Sequence, residues 1–430
     1  MVIIRYNNKN EKNMKRINIH INKKFNYSLY VLCFLLAVIF TCCEEEQHSP
    51  INKGGGIPGQ VTNIQIIPTP GGADLIYVLP DDRDLSYIEA IVNTPEGNSL
   101  NFKASTFKDT ISINGLATEN TQEVLLYSVT KSGKRSQPLS VNINPVTPPY
   151  IKSYESLKLQ EGLGGLSVNF INETKAELSF TVGRVIDGEF IEGESYYTSK
   201  PEGSILFWGY EATPQKFGVY VCDRWNHYSD TIYADITPKL ELLLDKNKFK
   251  AVHLNHDSEY KTSQYEKPEN LWNGHWSEDY NNPYTGGGTG WAHGALYEIT
   301  DTEEPAAMTI DLGQLCDISR IRFNHYWTYD NHAPKKYEVY GLLDFDNDYI
   351  QRSHGEWVNW TLLATVENVK PSTVGGTADE DAKSWEEGDV VVLSPPASNV
   401  RYIRLKAIES WNGKRNLDLA EITVYGQPIE

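Results

Sequence analysis

Four aromatic side chains stand close together in the segment RFNHYWTYDNHAPKKYEVYG, residues 322–341. They are His325, Tyr326, Trp327 and Tyr329. Successive side chains of a strand point to opposite faces, so these rings cannot all lie in one core. The two apolar residues just before them, at positions 321 and 323, share a face and are predicted to be core. The strand should therefore end near His325 and leave the later rings in a loop.

Flat rings beside planar polar groups are suited to binding sugars, which present C–H patches and hydroxyl groups together. Two other loops carry the same residue types. GGGTGWAHG, residues 286–294, contains an indole and an imidazole, and ESWNGKRNLD, residues 409–418, contains an indole, an amide and a guanidinium. If the three loops converge, they form one site. The predicted ligand-binding residues are Trp291, His293, His325, Trp327, Tyr329, Trp411, Asn412 and Arg415.

The beginning of the chain has the features of an export signal. Seven Lys or Arg residues precede position 25, and the apolar run LYVLCFLLAVIF follows at residues 29–40. Twelve apolar residues are short for a membrane span but fit the core of a signal peptide. The next residues, FTCCEEEQ, resemble the lipobox of bacterial lipoproteins. Cys43 is the predicted lipid attachment site, with Cys42 as the alternative, and an ordinary signal peptide with two incidental cysteines stays open.

The charge of the chain excludes some classes of partner, and its cysteine content argues against a disulfide framework. The whole chain has a net charge of −18, and removal of residues 1–42 takes away seven basic residues and one acidic residue, which leaves −24. Such a surface repels nucleic acid and anionic lipid. Beyond the lipid site only Cys222 and Cys316 remain. They lie in different predicted domains, so we expect two buried thiols rather than a disulfide.

The pattern of turns and alternating strands divides the mature chain into domains. Residues 43–57 are polar and glycine-rich, as expected for a flexible tether. Residues 58–149 contain short alternating runs with turn residues between them, which predicts a fibronectin type III-like sandwich. Residues 150–248 predict a second β-sandwich, interpreted as a spacer. Its turn DRW, residues 223–225, is expected to be buried and held by an Asp–Arg pair.

The last segment, residues 249–430, has eight of the ten tryptophans and seven of the ten histidines, which indicates the working domain. Five phrases follow in order: NLWNGHW, MTIDLGQLCDISRIRF, KKYEVYG, VRYIRLKAIES and LAEITVYG. Together they resemble the coagulation factor five-eight type C, or discoidin-like, domain. The resemblance implies an eight-stranded jelly roll used widely for carbohydrate binding. The predicted fold class is all-β: two fibronectin type III-like β-sandwiches followed by a discoidin-like jelly-roll β-sandwich.

As a whole, the mature chain resembles the surface glycan-binding lipoproteins of polysaccharide-utilisation loci in Bacteroidota. The resemblance implies a non-catalytic lipoprotein, anchored by lipid to the outer membrane and exposed on the cell surface. It also implies two partners, a poly- or oligosaccharide and an outer-membrane importer of glycans. No nucleic acid is expected as a partner.

The resemblance also raises the question of a metal ion, because type C domains often hold a structural calcium through an Asp and a Glu. Here Asn273 stands at the Asp position, while Glu421 keeps the Glu position. Loss of one carboxylate weakens a site for a hard cation. No cofactor is therefore required, and an optional structural calcium at Asn273, His275 and Glu421 stays open beside a simple hydrogen-bonding role for Glu421.

Two functional classes other than sugar binding are compatible with a secreted protein of this kind, a glycosidase and an adhesin. A glycosidase needs two carboxylates at a fixed separation, and the acidic residues Asp330, Asp379, Glu380 and Asp381 are predicted to lie in polar loops without a catalytic scaffold. The chain is therefore expected not to be an enzyme. The alternative is an adhesin that binds a protein ligand through the discoidin-like domain. Retardation in gels that contain polysaccharide would separate these two functions.

Overall fold

The computed structural model describes residues 56–94, 97–254, 257–258, 267–274, 276, 295–297, 305–325, 331–343, 357 and 360–429. Strands dominate these ranges and helices are short, so the predicted all-β fold class is confirmed. Among the described residues, no helix combines the length and the apolar character that crossing a membrane requires. The lipidation candidates Cys42 and Cys43 lie outside the described residues.

The described part of the N-terminal domain is a sandwich of two antiparallel sheets. One sheet has the order β1-β2-β5 and the other the order β4-β3-β6-β7. Alternate residues such as Leu75, Ile88 and Leu126 point between the sheets and are fully buried. The strands are β1 (Thr62–Thr69), β2 (Gly72–Val78), β3 (Leu85–Asn93), β4 (Ser99–Ser105), β5 (Thr110–Ile113), β6 (Gln122–Thr130) and β7 (Leu139–Ile143).

The middle domain repeats this plan after a short helix, α1 (Pro149–Glu155). Its sheets have the orders β12-β9-β8 and β11-β10-β13-β14. Phe170 and Phe180 meet between them with ring centroids 4.5 Å apart. The strands are β8 (Lys158–Gly162), β9 (Gly165–Ile171), β10 (Leu178–Ile186), β11 (Glu189–Thr198), β12 (Glu202–Trp208), β13 (Gln215–Asp223) and β14 (Ile232–Ile236).

In the C-terminal domain the described strands form one strongly curved antiparallel sheet with the central order β15-β22-β18-β21-β19-β20. β16 also pairs with β18, and β17 pairs with β22. Register shifts in β18 and β21 let these long strands bend around a common core. The strands are β15 (Leu242–Leu243), β16 (Lys250–Val252), β17 (Ala295–Tyr297), β18 (Ala307–His325), β19 (Pro334–Leu343), β20 (Trp360–Glu367), β21 (Asp389–Ser410) and β22 (Leu417–Pro428).

Several core predictions are confirmed. Ile321 and Phe323 are fully buried in the C-terminal core, and β18 ends at His325. Cys222 and Cys316 are free and buried. Burial raises the pKa of the Cys316 thiol to about 12, so this group is an inert apolar side chain at neutral pH.

Three of the four acidic residues predicted to lie in polar loops, Asp379, Glu380 and Asp381, lie instead in a helix, α2 (Ala378–Glu387), and Asp330 lies outside the described residues. Thr377 caps its N-terminus and Glu380 completes the capping box. Asp381 is buried and accepts hydrogen bonds from the backbone N and the Oγ of Ser372, at 2.8 and 2.6 Å. The prediction of a loop was wrong because this capping pattern was not recognised. Glu380 and Asp381 therefore stabilise the start of the helix.

The middle and C-terminal domains belong to one compact unit, Lys152–Glu430, and contact each other through Arg320. Its guanidinium lies 4.0 Å from the ring centroid of Trp208 and 3.5 Å from that of Tyr425. Nη2 also donates to Oε2 of Glu241 at 2.7 Å, with both side chains about nine-tenths buried. A guanidinium stacked on rings and paired with a carboxylate fixes the orientation of both partners.

Candidate functional site

The turn between β21 and β22 presents Trp411 at one end of the C-terminal domain. The turn is held by its own hydrogen bonds, because Ser410 N donates to Lys414 O at 2.8 Å and Gly413 adopts a left-handed φ of 75°. Trp411 N donates to Ala333 O at 3.2 Å, which ties the turn to the start of β19. The sequence therefore fixes the backbone of Trp411 before any ligand is bound.

Two ammonium groups flank the half-buried indole of Trp411. Nζ of Lys335 lies 5.5 Å and Nζ of Lys370 lies 5.3 Å from the centroid of its ring. Lys335 is also paired with Glu409 at 2.7 Å. The indole Nε1–H is buried and, among the described residues, has no hydrogen-bond acceptor. The arrangement combines an aromatic surface with hydrogen-bond donors.

Two other predicted residues of this turn have different positions. Oδ1 of Asn412 accepts hydrogen bonds from Ser410 Oγ at 2.8 Å and from Lys414 N at 2.9 Å, so this atom stabilises the turn. A contact with ligand would therefore use its Nδ2. Arg415 has an exposed side chain, while its carbonyl accepts from Ala306 N at 3.1 Å. The structure places Trp411, Asn412 and Arg415 in one turn.

His325 is not part of an open site, and this prediction needs correction. Its side chain is fully buried, and Nε2 lies 2.7 Å from Oδ2 of Asp389. The same carboxylate accepts from Tyr337 Oη at 3.1 Å and from Asn368 Nδ2 at 2.8 Å. Burial and the neighbouring carboxylate raise the pKa of Tyr337 well above its usual value. His325 therefore links strand ends beneath the surface and cannot touch a ligand in solvent.

This network also supports the surface above it. The ring of Trp385, on α2, lies 5.9 Å from that of His325, and Lys370 lies 5.0 Å from the ring of Trp385. Lys370 therefore lies near both Trp385, which is buried, and Trp411, which is half-exposed. Lys370 thus lies between the buried polar network and the indole at the rim, and Lys335 O, which accepts from Asn368 N at 2.7 Å, provides a second link.

The remaining predicted ligand-binding residues lie outside the described residues: Trp291, His293, Trp327 and Tyr329. Whether they converge with the turn at Trp411 stays a prediction. Lys335 and Lys370 were not predicted from the sequence, although both flank Trp411. The phrases KKYEVYG and VKPS contain them, but nothing in a single sequence indicates that these segments meet.

The residues considered for calcium form a different arrangement. Glu421 is fully buried, its Oε1 is paired with Nζ of Lys246, and both its carboxylate oxygens accept from Gly274 N, at 3.1 and 3.2 Å. Nζ of Lys246 also donates to Thr423 Oγ1 at 3.1 Å. Burial raises the pKa of Glu421 to about 7, although the charge of Lys246 opposes this shift. Within the described ranges, no group of three or more His, Cys, Asp or Glu side chains could hold a metal ion.

An ammonium group already beside the carboxylate occupies the place where a divalent cation would approach. Asn273 is exposed and ends a 3-10 helix (Pro268–Trp272), and His275 lies outside the described residues. The one carboxylate of the predicted site is thus already paired with an ammonium group, and calcium binding at Asn273, His275 and Glu421 stays a prediction. The described geometry matches the simpler role for Glu421, a hydrogen bond to the loop at Gly274.

The turn DRW of the middle domain is held differently from the expected Asp–Arg pair. Asp223 accepts from Trp225 N at 2.9 Å and His227 N at 3.0 Å, and its Oδ2 lies 2.9 Å from His227 Nδ1. Arg224 instead pairs with Glu177 at 3.3 Å, with both side chains exposed. An Asp two residues before the turn nitrogen commonly forms such a local bond. The expected ion pair was therefore wrong, whereas a structural role for Asp223 agrees with the geometry.

Comparison with known proteins finds three family profiles that match consecutive segments of the chain. All three are described as domains of unknown function, and they match residues 58–145 (DUF4959), 146–247 (DUF5126) and 284–426 (DUF5000). Each covers less than half of the chain. No curated protein matches it.

Many solved structures are similar to parts of the chain, at low TM-scores. A SusE-like protein, BT2857, is 26% identical over 66% of this chain and 100% of its own, with a TM-score of 0.41. The module CBM32-3 from a family 31 glycoside hydrolase of Clostridium perfringens is 17% identical over 43% of this chain and 95% of its own, with a TM-score of 0.30. A two-domain fibronectin type III segment of chicken tenascin is 11% identical over 42% of this chain and 99% of its own, with a TM-score of 0.21.

Proposed function

We propose that the chain is a non-catalytic protein of the cell surface that binds a poly- or oligosaccharide through the C-terminal domain. The observation that carries this proposal is the half-exposed indole of Trp411, with two ammonium groups within 5.5 Å of its ring centroid. Such a surface offers a pyranose ring both an apolar contact and hydrogen-bond donors.

Each group has a defined part in this binding. The indole of Trp411 stacks on the C–H face of the sugar, and the ammonium groups of Lys335 and Lys370 donate to hydroxyl or ring oxygens. Arg415 adds a planar set of donors at the exposed side of the turn, and Nδ2 of Asn412 adds another. The predicted loop residues Trp291, His293, Trp327 and Tyr329 would complete the site.

Binding by exposed rings is expected to be weak and reversible. Each stacked ring contributes on the order of 1 kcal/mol beyond its buried area. Two or three rings together contribute about 2–3 kcal/mol, which lowers Kd by only about 30- to 150-fold and leaves the affinity weak. Such an affinity suits the capture and transfer of a glycan better than tight retention.

The cellular part of the proposal follows from the beginning of the chain. Lipid attached to Cys43, or to Cys42, would anchor the protein to the outer membrane, and residues 43–57 would hold the domains away from it. There the protein would pass its glycan to an adjacent importer. Measurement of the mass of the mature N-terminal peptide tests the anchor, because diacylglyceryl cysteine at one of these positions is expected.

Affinity electrophoresis in gels that contain a polysaccharide tests the binding function. Amylopectin, galactomannan, xylan and barley β-glucan represent neutral chains, and polygalacturonate and heparin represent acidic chains. We expect at least one of them to retard the wild type. Trp411→Ala should abolish most of this retardation with a change of only a few degrees in Tm, whereas Phe107→Ala, an exposed ring of the N-terminal domain, should have no effect.

The outcomes separate the proposal from its rivals. Binding to a protein partner without retardation by any polysaccharide would replace the proposal with the adhesin function. A large loss of stability in Trp411→Ala would assign the indole to the core. Equal retardation of Trp411→Ala and the wild type would move the site away from this turn.

A further inference from the structure

The middle domain has a sheet, β11-β10-β13-β14, whose two sides differ in chemistry. One side packs against the core through buried residues such as Phe180 and Val219. The pairing register of the strands, together with an isolated bridge between Cys222 and Tyr228, places a set of aromatic side chains on the other side, termed here the tyrosine face. Its members are Phe190, Tyr197, Tyr220, Tyr228 and Tyr233. The outer side of an antiparallel sheet is ordinarily polar, so this set needs an explanation.

The rings of the tyrosine face form a nearly continuous row. The centroid of Phe190 lies 6.0 Å from that of Tyr233 and 6.4 Å from that of Tyr220, both in edge-to-face geometry. Tyr220 and Tyr228 are 5.8 Å apart. Tyr197, Tyr228 and Tyr233 are 68%, 59% and 47% exposed, respectively, so a large aromatic surface stays in contact with water.

Two glycines in the middle of strands make room for this row. A Cβ atom at Gly218 would lie 2.7 Å from Phe190 Cε2 and 2.8 Å from Tyr233 Cε1, and one at Gly183 would lie 2.6 Å from Phe190 Cε2. Glycine inside a strand is destabilising and often marks a close approach to the backbone. Here it lets the Phe190 ring lie across two strands, which fixes the neighbouring rings before a ligand arrives.

Polar groups lie between the rings. Tyr220 Oη donates to Glu192 Oε1 at 3.0 Å, and the hydroxyl groups of Thr181 and Ser195 are 2.8 Å apart. Nζ of Lys216 lies 5.6 Å from the ring centroid of Tyr233. Apolar ring surface alternating with hydroxyl groups matches the alternating C–H and O–H groups of a sugar.

The balance of charge indicates which sugars fit. Lys216 lies beside Tyr233, and it stands opposite Asp235 in the sheet register. Glu192 adds a further negative charge beside Tyr220. Together with the acidic chain as a whole, these groups disfavour a polyanionic ligand.

We propose that the tyrosine face is a second carbohydrate-binding site, which takes a neutral polysaccharide chain. The inference rests on the proposed function for its class of ligand, but its residues belong to another domain. Sugar rings stack on Tyr228 and Tyr233, while tyrosine hydroxyls and Glu192 hydrogen-bond to sugar hydroxyls. The middle domain is then a binding domain rather than a spacer.

Because the contact at Arg320 links the two domains, a second site would raise the affinity of the chain for a long polysaccharide. This contact holds the middle and C-terminal domains together through Trp208, Glu241 and Tyr425. Two weak sites on linked domains bind a long chain more tightly than either does alone, because the second contact is intramolecular. A short oligosaccharide that cannot reach both sites gains nothing from this linkage.

Isothermal titration of the full chain counts the sites. The probe is a short oligosaccharide prepared from the neutral polysaccharide that retards the wild type most strongly. We expect two molecules bound per wild-type chain and one for the double variant Tyr228→Ala/Tyr233→Ala. Trp411→Ala should also bind one, and the combination of all three substitutions should bind none. Loss of two stacked rings should weaken retention on the polysaccharide by roughly tenfold.

Conservative variants separate binding from folding. Tyr228→Phe/Tyr233→Phe keeps the rings, so it should retain two bound molecules and most of the affinity. The melting temperatures of all variants are measured in parallel. If the Phe pair loses as much binding as the Ala pair at an unchanged Tm, the contact depends on the hydroxyls and the proposed stacking is wrong.

The results distinguish this inference from the function on which it rests. A stoichiometry of one in the wild type, lost in Trp411→Ala and unchanged in the tyrosine variant, overturns the second site and keeps the proposed function. A stoichiometry of one lost only in the tyrosine variant keeps the tyrosine face and overturns the site at Trp411. If no member of the polysaccharide panel retards the wild type, both proposals are wrong.

Discussion

The turn at Trp411 and the tyrosine face both present aromatic rings to water, but they are built in different ways. Trp411 projects from a hairpin turn whose hydrogen bonds lie close together in sequence, and lysines from two other segments flank it. The tyrosine face is assembled from strands by their register, with glycines beneath its central ring. A turn can change its sequence without disturbing the sheets, whereas the tyrosine face cannot change register without moving every ring.

The two regions also differ in charge. Two ammonium groups lie near Trp411, so that region favours ligands with many hydrogen-bond acceptors or with carboxylates. Glu192 lies beside Tyr220 on the tyrosine face, which favours neutral sugars with hydroxyl donors. We therefore expect the two aromatic surfaces to select different parts of one polysaccharide.

The largest expected effect comes from the buried network beneath Trp411. Asp389→Ala removes the carboxylate that is hydrogen-bonded to three buried side chains, those of His325, Tyr337 and Asn368. We expect a loss of about 3–5 kcal/mol in the free energy of unfolding of the C-terminal domain. Thermal unfolding and titration should show that sugar binding at Trp411 is lost while binding at the tyrosine face remains.

Asp379→Ala is the matched control, because this exposed carboxylate lies in the first turn of α2 in the same domain. It should cost less than about 1 kcal/mol. If Asp389→Ala is equally mild, the network does not support the rim, and the two regions do not differ in the way described above.

The next largest effect is expected at Arg320, which links the middle and C-terminal domains. Arg320→Ala removes a guanidinium held between two rings and leaves Glu241 buried without its cation. A loss of about 2–4 kcal/mol is expected. Calorimetry should then resolve separate unfolding of the middle and C-terminal domains, and retention on polysaccharide should fall while binding of a short oligosaccharide is unchanged.

Arg224→Ala provides the control for that variant. Arg224 and Glu177 form an exposed pair, which contributes little in water, so stability should change by less than about 0.5 kcal/mol. A wild-type protein whose two domains already unfold independently would contradict the role assigned to Arg320.

The smallest effect concerns the buried pair of Lys246 and Glu421, at the position predicted for an optional calcium ion. Lys246→Met removes the cation that is paired with buried Glu421, and we expect a loss of about 1–3 kcal/mol because the carboxyl group can take up a proton instead. Lys248→Met, which changes a lysine bonded to Gln314 at the surface, should be nearly neutral.

Calcium itself provides the second half of this test. Because Lys246 already supplies the positive charge, neither calcium nor a chelator should change the Tm of the wild type. An increase of several degrees with calcium would mean that the ion displaces the lysine and that the site belongs to the metal-binding type after all.

Much of the fold was predictable because β-structure has a short-range signature. Alternation placed Ile321 and Phe323 in the core, and the crowding of rings after them located the end of β18 at His325. The phrase ESWNGKRNLD correctly indicated a turn that carries an indole. The working role assigned to the C-terminal domain from its concentration of tryptophans stays a prediction.

The remaining features depend on pairs of residues far apart in sequence. His325 was wrongly assigned to the binding site from the rings beside it, since nothing near it in sequence indicates its partner Asp389, 64 residues away. Lys246 likewise lies 175 residues from Glu421. The tyrosine face was overlooked because its rings come from different strands, and only the register shows that they share a side. Local patterns carry no information about such contacts.

The most direct test of the central claim follows the indole N–H signal of Trp411 by NMR. The full chain labelled with ¹⁵N is titrated with the oligosaccharide, and Trp411→Phe assigns the signal. Stacking of sugar on this ring predicts a saturable shift of the Trp411 signal, while the signal of buried Trp385 stays in place. An unmoved Trp411 signal at a saccharide concentration that saturates the protein would contradict the account.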